Sequence, residues 1–137
     1  MRYLLDTNVL SEGAKHRPDS GVASWLVQHE AGDAISVLTI GELTKGAFFL
    51  SDRTKRKRIL AWIAEIEESF DDRVLPLNRD ILIAWGKLCG TYEATGRRWP
   101  VLDSLLAATA MVHDLTIVTR NASDFPPDVI TLTPWKK

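Results

Sequence analysis

Cysteine is almost missing from this chain. Cys89 stands alone, so no internal disulfide can form. A fold that manages without disulfides fits a reducing compartment. Cys89 itself lies in an apolar helical pattern and is expected to be a small core residue. Long hydrophobic runs are missing too. Nothing approaches the roughly 20 apolar residues that span a bilayer. Only Tyr3, Leu4 and Leu5 separate Arg2 from Asp6, too little for a signal-peptide core. The cytoplasm is therefore the expected location. A positive surplus is also lacking: 17 Lys and Arg stand against 18 Asp and Glu, a formal net charge of −1. That is not the balance of a nucleic-acid binder, so a polyanionic substrate would have to be met by local basic patches or by a metal. Phosphate-binding loops, dinucleotide fingerprints, zinc motifs and nucleophile elbows are absent, which argues against nucleotide-driven and serine-hydrolase chemistry. His16, His29 and His113 share no metal-ligand spacing. His29 and His113 each end an amphipathic stripe and are expected as cap or surface residues.

What is present is ordinary in bulk and patterned in detail. The chain has 137 residues, 45% hydrophobic and 26% charged, which suits a single compact domain spanning 1–137. There is no repeat, no low-complexity tract and no linker. Short apolar segments at Tyr3–Leu5, Ala34–Val37, Val74–Leu75 and Thr116–Val118 predict strands. Val129–Leu132, fenced by Pro127 and Pro134, predicts a weak fifth. Between them run helical stripes. These are Val22/Trp25/Leu26/His29, Ile40/Leu43/Ala47/Leu50, Ile59/Ile63/Ile66/Phe70, Ile81/Trp85/Leu88/Tyr92 and Leu105/Ala108/Thr109/Val112. Most tryptophans and other aromatics fall on the stripes and are expected in the core, not as base-stacking platforms. Strands alternating with helices predict an α/β protein, a three-layer α/β/α sandwich around a short, mostly parallel sheet.

In such a sheet, ligands bind beyond the carboxyl ends of the strands, and four acids fall at such places. Asp6 follows the first strand. Glu42 lies just inside the helix after the second. Asp103 opens the helix that feeds the fourth, and Asp124 follows that strand. Each also has a purely structural reading. Asp6 and Asn8 can satisfy a turn of their own backbone. Thr39-Ile40-Gly41-Glu42 has capping-box spacing. Asp103 can cap its helix, and Asp124 can close the turn after Asn121. Taken together, carboxylates drawn to one edge would raise each other's pKa, and a hard divalent cation would relieve that conflict. Mg²⁺ is commonly held by one or two carboxylates, several waters and substrate phosphate oxygens, an arrangement suited to phosphodiester hydrolysis.

At this point the segments resemble a known family. Leu4-Leu5-Asp6-Thr7-Asn8-Val9-Leu10-Ser11-Glu12, Thr39-Ile40-Gly41-Glu42-Leu43 with Gly46, Asp103-Ser104-Leu105-Leu106-Ala107-Ala108-Thr109-Ala110 and Val118-Thr119-Arg120-Asn121-Ala122-Ser123-Asp124-Phe125 resemble, in order and spacing, the four motifs of PIN-domain ribonucleases. The likeness is greatest to the VapC-type toxins of bacterial toxin–antitoxin pairs. The resemblance implies a parallel-sheet α/β/α sandwich and an endoribonuclease dependent on Mg²⁺ or Mn²⁺. It puts the metal on Asp6 and Asp103, with Glu42 and Asp124 completing the catalytic quartet directly or through water. Thr7, Asn8 and Thr119 are implied to hold the acids or touch phosphate. It also implies a homodimer and a small DNA-binding antitoxin as partner. One departure lies in Gly96-Arg97-Arg98-Trp99-Pro100, where relatives more often carry a small or apolar residue in place of Arg98 or Trp99.

Two other readings compete. A different metal-dependent phosphoesterase, a DNase or a phosphatase, would suit an Asp followed by a Thr after the first strand. A phosphatase with a covalent Asp6 nucleophile would want an Asp at position 8, where this chain has Asn. The second is a non-catalytic binding subunit whose acids only cap helices. Outside the four motifs, Arg53-Thr54-Lys55-Arg56-Lys57-Arg58 is the strongest basic cluster, either a solvated helix start or a grip on phosphates. Arg97, Arg98 and Arg120 form smaller basic points, and Trp135-Lys136-Lys137 reads as a surface end.

Overall fold

The computed structural model describes residues 1–136. Its centre is a five-stranded sheet in the order β3-β2-β1-β4-β5, from β1 (Tyr3–Leu5), β2 (Asp33–Ser36), β3 (Val74–Leu75), β4 (Thr116–Val118) and β5 (Thr131–Leu132). Every pairing is parallel, with Leu4 opposite Ala34 on one side and Ile117 on the other. The helices are α1 (Thr7–Gly13), α2 (Ser20–Gln28), α3 (Val37–Phe49), α4 (Arg53–Phe70), α5 (Arg79–Glu93) and α6 (Val101–His113).

Strand alternation builds the three layers. Successive side chains of a strand point to opposite faces. Leu4, Ala34, Leu75 and Ile117 pack with Leu88, Leu106, Ala107 and Ala110 of α5 and α6. Their neighbours Leu5, Ile35 and Val118 pack on the other face with Val9, Val22, Leu43, Ile63 and Ile66 of α1 to α4. Leu4 and Leu5 are both fully buried, each stabilising the fold by about 1.5–3 kcal/mol relative to exposure. The chain order explains which helices go where. From β1 it winds outward to β2 and β3, then returns past β1 to β4 and β5. Right-handed crossovers in opposite directions put their helices on opposite faces. The reversal leaves a crevice between β1 and β4, beyond their carboxyl ends, where ligands of open α/β sheets bind.

Several local expectations are corrected. The Asp6–Asn8 segment does not close a turn; it starts α1, which no stripe announced. The second strand stops at Ser36, because Ser36 caps α3 by accepting from the Leu38 amide at 3.0 Å and Val37 is already helical. That same cap removes the capping box expected from Thr39 to Glu42. The fifth strand is confined to Thr131–Leu132, since Val129 and Ile130 precede the pairing with Ile117 and Val118. The buried face of α6 comprises Ser104, Leu106, Ala107, Ala108, Thr109 and Ala110, leaving Val112 at 40% exposure. Nearly continuous small and apolar residues hide the true stripe there. Cys89 is buried and free, and His29 is the C-cap of α2, with Nδ1 at 2.9 Å from the Trp25 carbonyl. Of the tail, Lys137 lies outside the described residues.

Candidate functional site

The site begins where β1 ends. Asp6 is the N-cap of α1, and its Oδ1 accepts from the Thr7 amide at 2.8 Å. Its Oδ2 accepts from the Thr119 hydroxyl at 2.8 Å and from Asn8 Nδ2 at 3.4 Å. Thr119 is fully buried, directly after β4, and its amide donates to the Leu132 carbonyl at 2.9 Å. So Asp6, just past β1, is held by Thr119, just past β4, which is itself tied to the end of β5. Asn8 also accepts from the Arg120 amide at 3.4 Å, tying the start of α1 to the loop after β4.

The second acid arrives on α3. Glu42 sits one and a half turns past the Ser36 cap, and its Oε1 accepts from the Thr7 hydroxyl at 2.7 Å. Thr7 is therefore a bridge: its amide serves Asp6 and its hydroxyl serves Glu42. The third acid, Asp103, lies in the first turn of α6, where the helix dipole favours negative charge. It is not the cap; Pro100 occupies that position without a side-chain bond. The first turn is secured instead by Ser104, which donates to the Val101 carbonyl at 2.8 Å and accepts from Trp85 Nε1 of α5 at 2.9 Å. Asp124 is exposed, in a short 3-10 turn at Ala122–Asp124 whose backbone closes onto Asn121 at 3.0 Å.

The electrostatics record how close these groups are. Burial pushes the Asp103 carboxyl up to about 6, and Asp6, Asp124 and Glu42 push it in the same direction. Asp6 is also raised, by burial first and by Asp124 last, although the hydrogen bonds from Thr119 and Thr7 pull it down. Asp103 thus feels the other three acids at one sheet edge, and Asp6 feels Asp124. Among the described residues, no three carboxylate, histidine or cysteine side chains close on one point as a ready-made cage. The donors are all carboxylate oxygens, the ligand type of hard divalent cations. A cation there would offset the repulsion that raises Asp103 and Asp6. The acids and their donors therefore fit such an ion.

The Ser104–Trp85 link was invisible in the sequence, where Trp85 reads as one more core aromatic. A clue existed, since a buried indole N–H needs an acceptor. The smaller basic points are occupied elsewhere. Arg97 lies over the Trp99 ring at 4.2 Å, Arg98 faces Glu93 at 3.7 Å, and Arg120 lies over the Trp135 ring at 5.4 Å.

Comparison with known proteins places this geometry. Over 138 aligned residues the chain is 33% identical to "Toxin FitB" of Neisseria gonorrhoeae, covering 96% of this chain and 97% of that protein. It is 30% identical to "VapC ribonuclease Y4jK" of Sinorhizobium fredii, with 97% of each chain covered. The crystal structure of FitAcB from Neisseria gonorrhoeae superposes with a TM-score of 0.88 at 30% identity, covering 98% of this chain and 99% of that one. A toxin–antitoxin complex from Klebsiella pneumoniae superposes with a TM-score of 0.68 at 26% identity, covering 98% and 99%. The PIN domain model matches residues 3–126, the span that holds all four acids, and the chain belongs to the PIN-domain family.

Proposed function

We propose that this chain is a metal-dependent endoribonuclease acting as the toxin of a toxin–antitoxin pair, with residues 1–137 forming one nuclease domain. The observation that carries the reading is that Asp6, Glu42 and Asp124 all act electrostatically on Asp103 at the carboxyl edge of a PIN-domain sheet. The names of its relatives, a toxin and a ribonuclease, support it. Asp6 and Asp103 are the proposed metal ligands. Glu42 and Asp124 complete the site directly or through water, and Mg²⁺ or Mn²⁺ is the proposed ion.

When bound, such an ion neutralises charge on the attacked phosphoryl group and makes a water more acidic. The chain's own groups do the rest. Thr119, Thr7 and Asn8 lock Asp6 in one orientation through the bonds described above. Thr7 holds one oxygen of Glu42, leaving the other to accept a proton from the attacking water. In-line attack by that water on phosphorus breaks the P–O3′ bond, and the departing 3′ oxygen takes a proton from solvent, leaving a 3′-hydroxyl and a 5′-phosphate. The partner proposed is a small DNA-binding antitoxin; α5 and α6 leave Leu82, Ile83, Leu102, Met111 and Val112 exposed, surface on which a second copy could pack. No helix among the described residues is long and apolar enough to cross a membrane, and the cytoplasm is the proposed location.

The test is cleavage of labelled RNA by the purified chain and by Asp6→Asn, with and without Mg²⁺ or Mn²⁺. The expected result is cleavage that needs both the metal and Asp6 and leaves 5′-phosphate ends. Full activity in the Asp6→Asn protein would overturn the assignment. Preference for DNA or for a small phosphomonoester would move the chain to another phosphoesterase class.

A further inference from the structure

A groove of about 810 Å³ runs from the site across the α1, α3 and α4 layer. Thr7 and Glu42 are part of its lining, so it adjoins the acids. Leu43, Ala47, Leu50 and Ile59 line it, with Trp62 beside them and Lys15, Lys55 and Arg58 around it. Four of these residues come from one helix at one spacing. Lys55, Arg58, Ile59 and Trp62 are i, i+3, i+4 and i+7 of α4, a single helical face. The basic cluster that looked uniform in sequence is thereby sorted. Lys55 and Arg58 reach the groove and are exposed. Arg56 turns away, its guanidinium 5.0 Å from the Phe48 ring and donating to the Leu50 carbonyl at 2.7 Å. At 100° per residue, Arg53 and Lys57 fall on the reverse of α4.

The charges on the groove are not spent internally to the same degree. Lys15 is held by Glu12 at 2.9 Å. Neither Lys55 nor Arg58 has a carboxylate within ion-pair distance among the described residues. The Asp52 cap feels the charge of both without pairing with either, and its carboxylate accepts from the Thr54 and Lys55 amides. Two cations without an ion pair among the described residues, beside an aromatic side chain, line a groove that adjoins the acids. The acids alone repel a phosphodiester chain, and a protein of net charge −1 has no general attraction to offset that.

We propose that this groove is the track of a single-stranded RNA segment adjoining the scissile phosphate. Lys55 and Arg58 hold its phosphates, and Trp62 offers a face to a base. The proposal rests on the ribonuclease reading. It fits the chemistry of single-strand recognition, in which cations follow the backbone and aromatic faces take bases without reading sequence.

The test uses the full chain carrying Asp6→Asn, so that RNA binds without being cut, and a fluorescein-labelled single-stranded RNA. Kd is measured by anisotropy over a range of salt. Lys55→Glu with Arg58→Glu is expected to weaken binding about tenfold or more at ~0.1 M salt. It should also flatten the log–log salt slope by about 1.4, two phosphate contacts at roughly 0.7 each. Arg53→Glu with Lys57→Glu changes net charge equally on the reverse face and is expected to do much less. In the otherwise native chain, the Lys55 and Arg58 pair should raise KM and leave kcat near its starting value. Quenching of tryptophan fluorescence by RNA should shrink in Trp62→Phe. Equal losses from the two charge pairs, or an unmoved Kd and slope, would overturn the track; an unmoved Kd would leave the groove to a peptide partner. RNA bound through the groove but never cleaved by the native chain would instead sink the nuclease reading and leave the track standing.

Discussion

Two aspartates are buried at opposite ends of the same sheet, and they are prepared very differently. Asp6 follows β1 at the carboxyl edge and accepts three hydrogen bonds, from Thr7, Asn8 and Thr119. Asp33 opens β2 at the amino edge, 3% exposed, and its buried Oδ1 finds no partner among the described residues. Burial pushes Asp33 up to about 6, against the pull of His29 and Arg73. Arg73 does not bond its carboxylate; the guanidinium donates to the Asp33 carbonyl at 2.6 Å and the Glu30 carbonyl at 3.0 Å. A raised pKa therefore does not single out the working acid. What separates the two is the company: Asp6 has oriented donors and three other acids in its cluster, whereas the buried Oδ1 of Asp33 has no donor and Glu30 is the acid that acts on it.

The largest expected break in that comparison comes from making the same change at both ends. Asp6→Asn should remove RNA cleavage almost entirely, whereas Asp33→Asn should leave kcat and metal dependence where they were. Loss of activity in both, in folded proteins, would mean that the comparison misidentifies the site. Next in size is Thr119→Val, which removes the best-buried donor to Asp6 with little change in shape. Donors that orient metal ligands are typically worth 10–100-fold in activity or metal affinity. A fall of about that size is expected, measured as cleavage rate and as the Mn²⁺-induced rise in melting temperature.

Asp33 offers a test in stability alone. Its folded pKa of about 6 exceeds the unfolded value, so the folded state binds the proton more tightly. That contribution is fully present below about pH 4 and is lost as pH rises through 6. At about 1.4 kcal/mol per pKa unit, Asp33→Asn should stabilise the protein by about 1–3 kcal/mol near pH 8 and much less near pH 4, read by urea denaturation. An unchanged pH profile would show that Asp33 is already satisfied. The smallest effect is expected from Trp85→Phe, which deletes the bond to Ser104 beneath Asp103. A loss of about 0.5–1.5 kcal/mol in stability is expected, with a few-fold weaker Mn²⁺ response. A stability loss without any change in the Mn²⁺ response would make Trp85 purely structural.

The legible parts of this protein were those governed by period and order. Strands of alternating face, such as Leu4 and Leu5, and helices with clean stripes, such as α4 and α5, follow from side-chain geometry that each segment carries locally. The order of the four motifs carries the family resemblance along the chain alone. Elements set by single capping contacts were less legible. α1 starts because Asp6 caps it, and α3 starts at Val37 because Ser36 does. Propensity alone does not decide such contests between turn, strand and helix.

The sequence by itself determined the layer architecture and which acids were worth watching, because hydrophobic periodicity and motif order are properties of the chain read along its length. Tertiary structure alone decided that Thr7 reaches Glu42 across 35 positions and that Thr119 reaches Asp6 across 113. It alone chose Lys55 and Arg58 over Arg56 as the cations of the groove. The physical reason is the same in each case. A hydrogen bond or a shared groove depends on where two distant backbones end in space, and that is set by sheet order and helix rotation, which no segment encodes on its own.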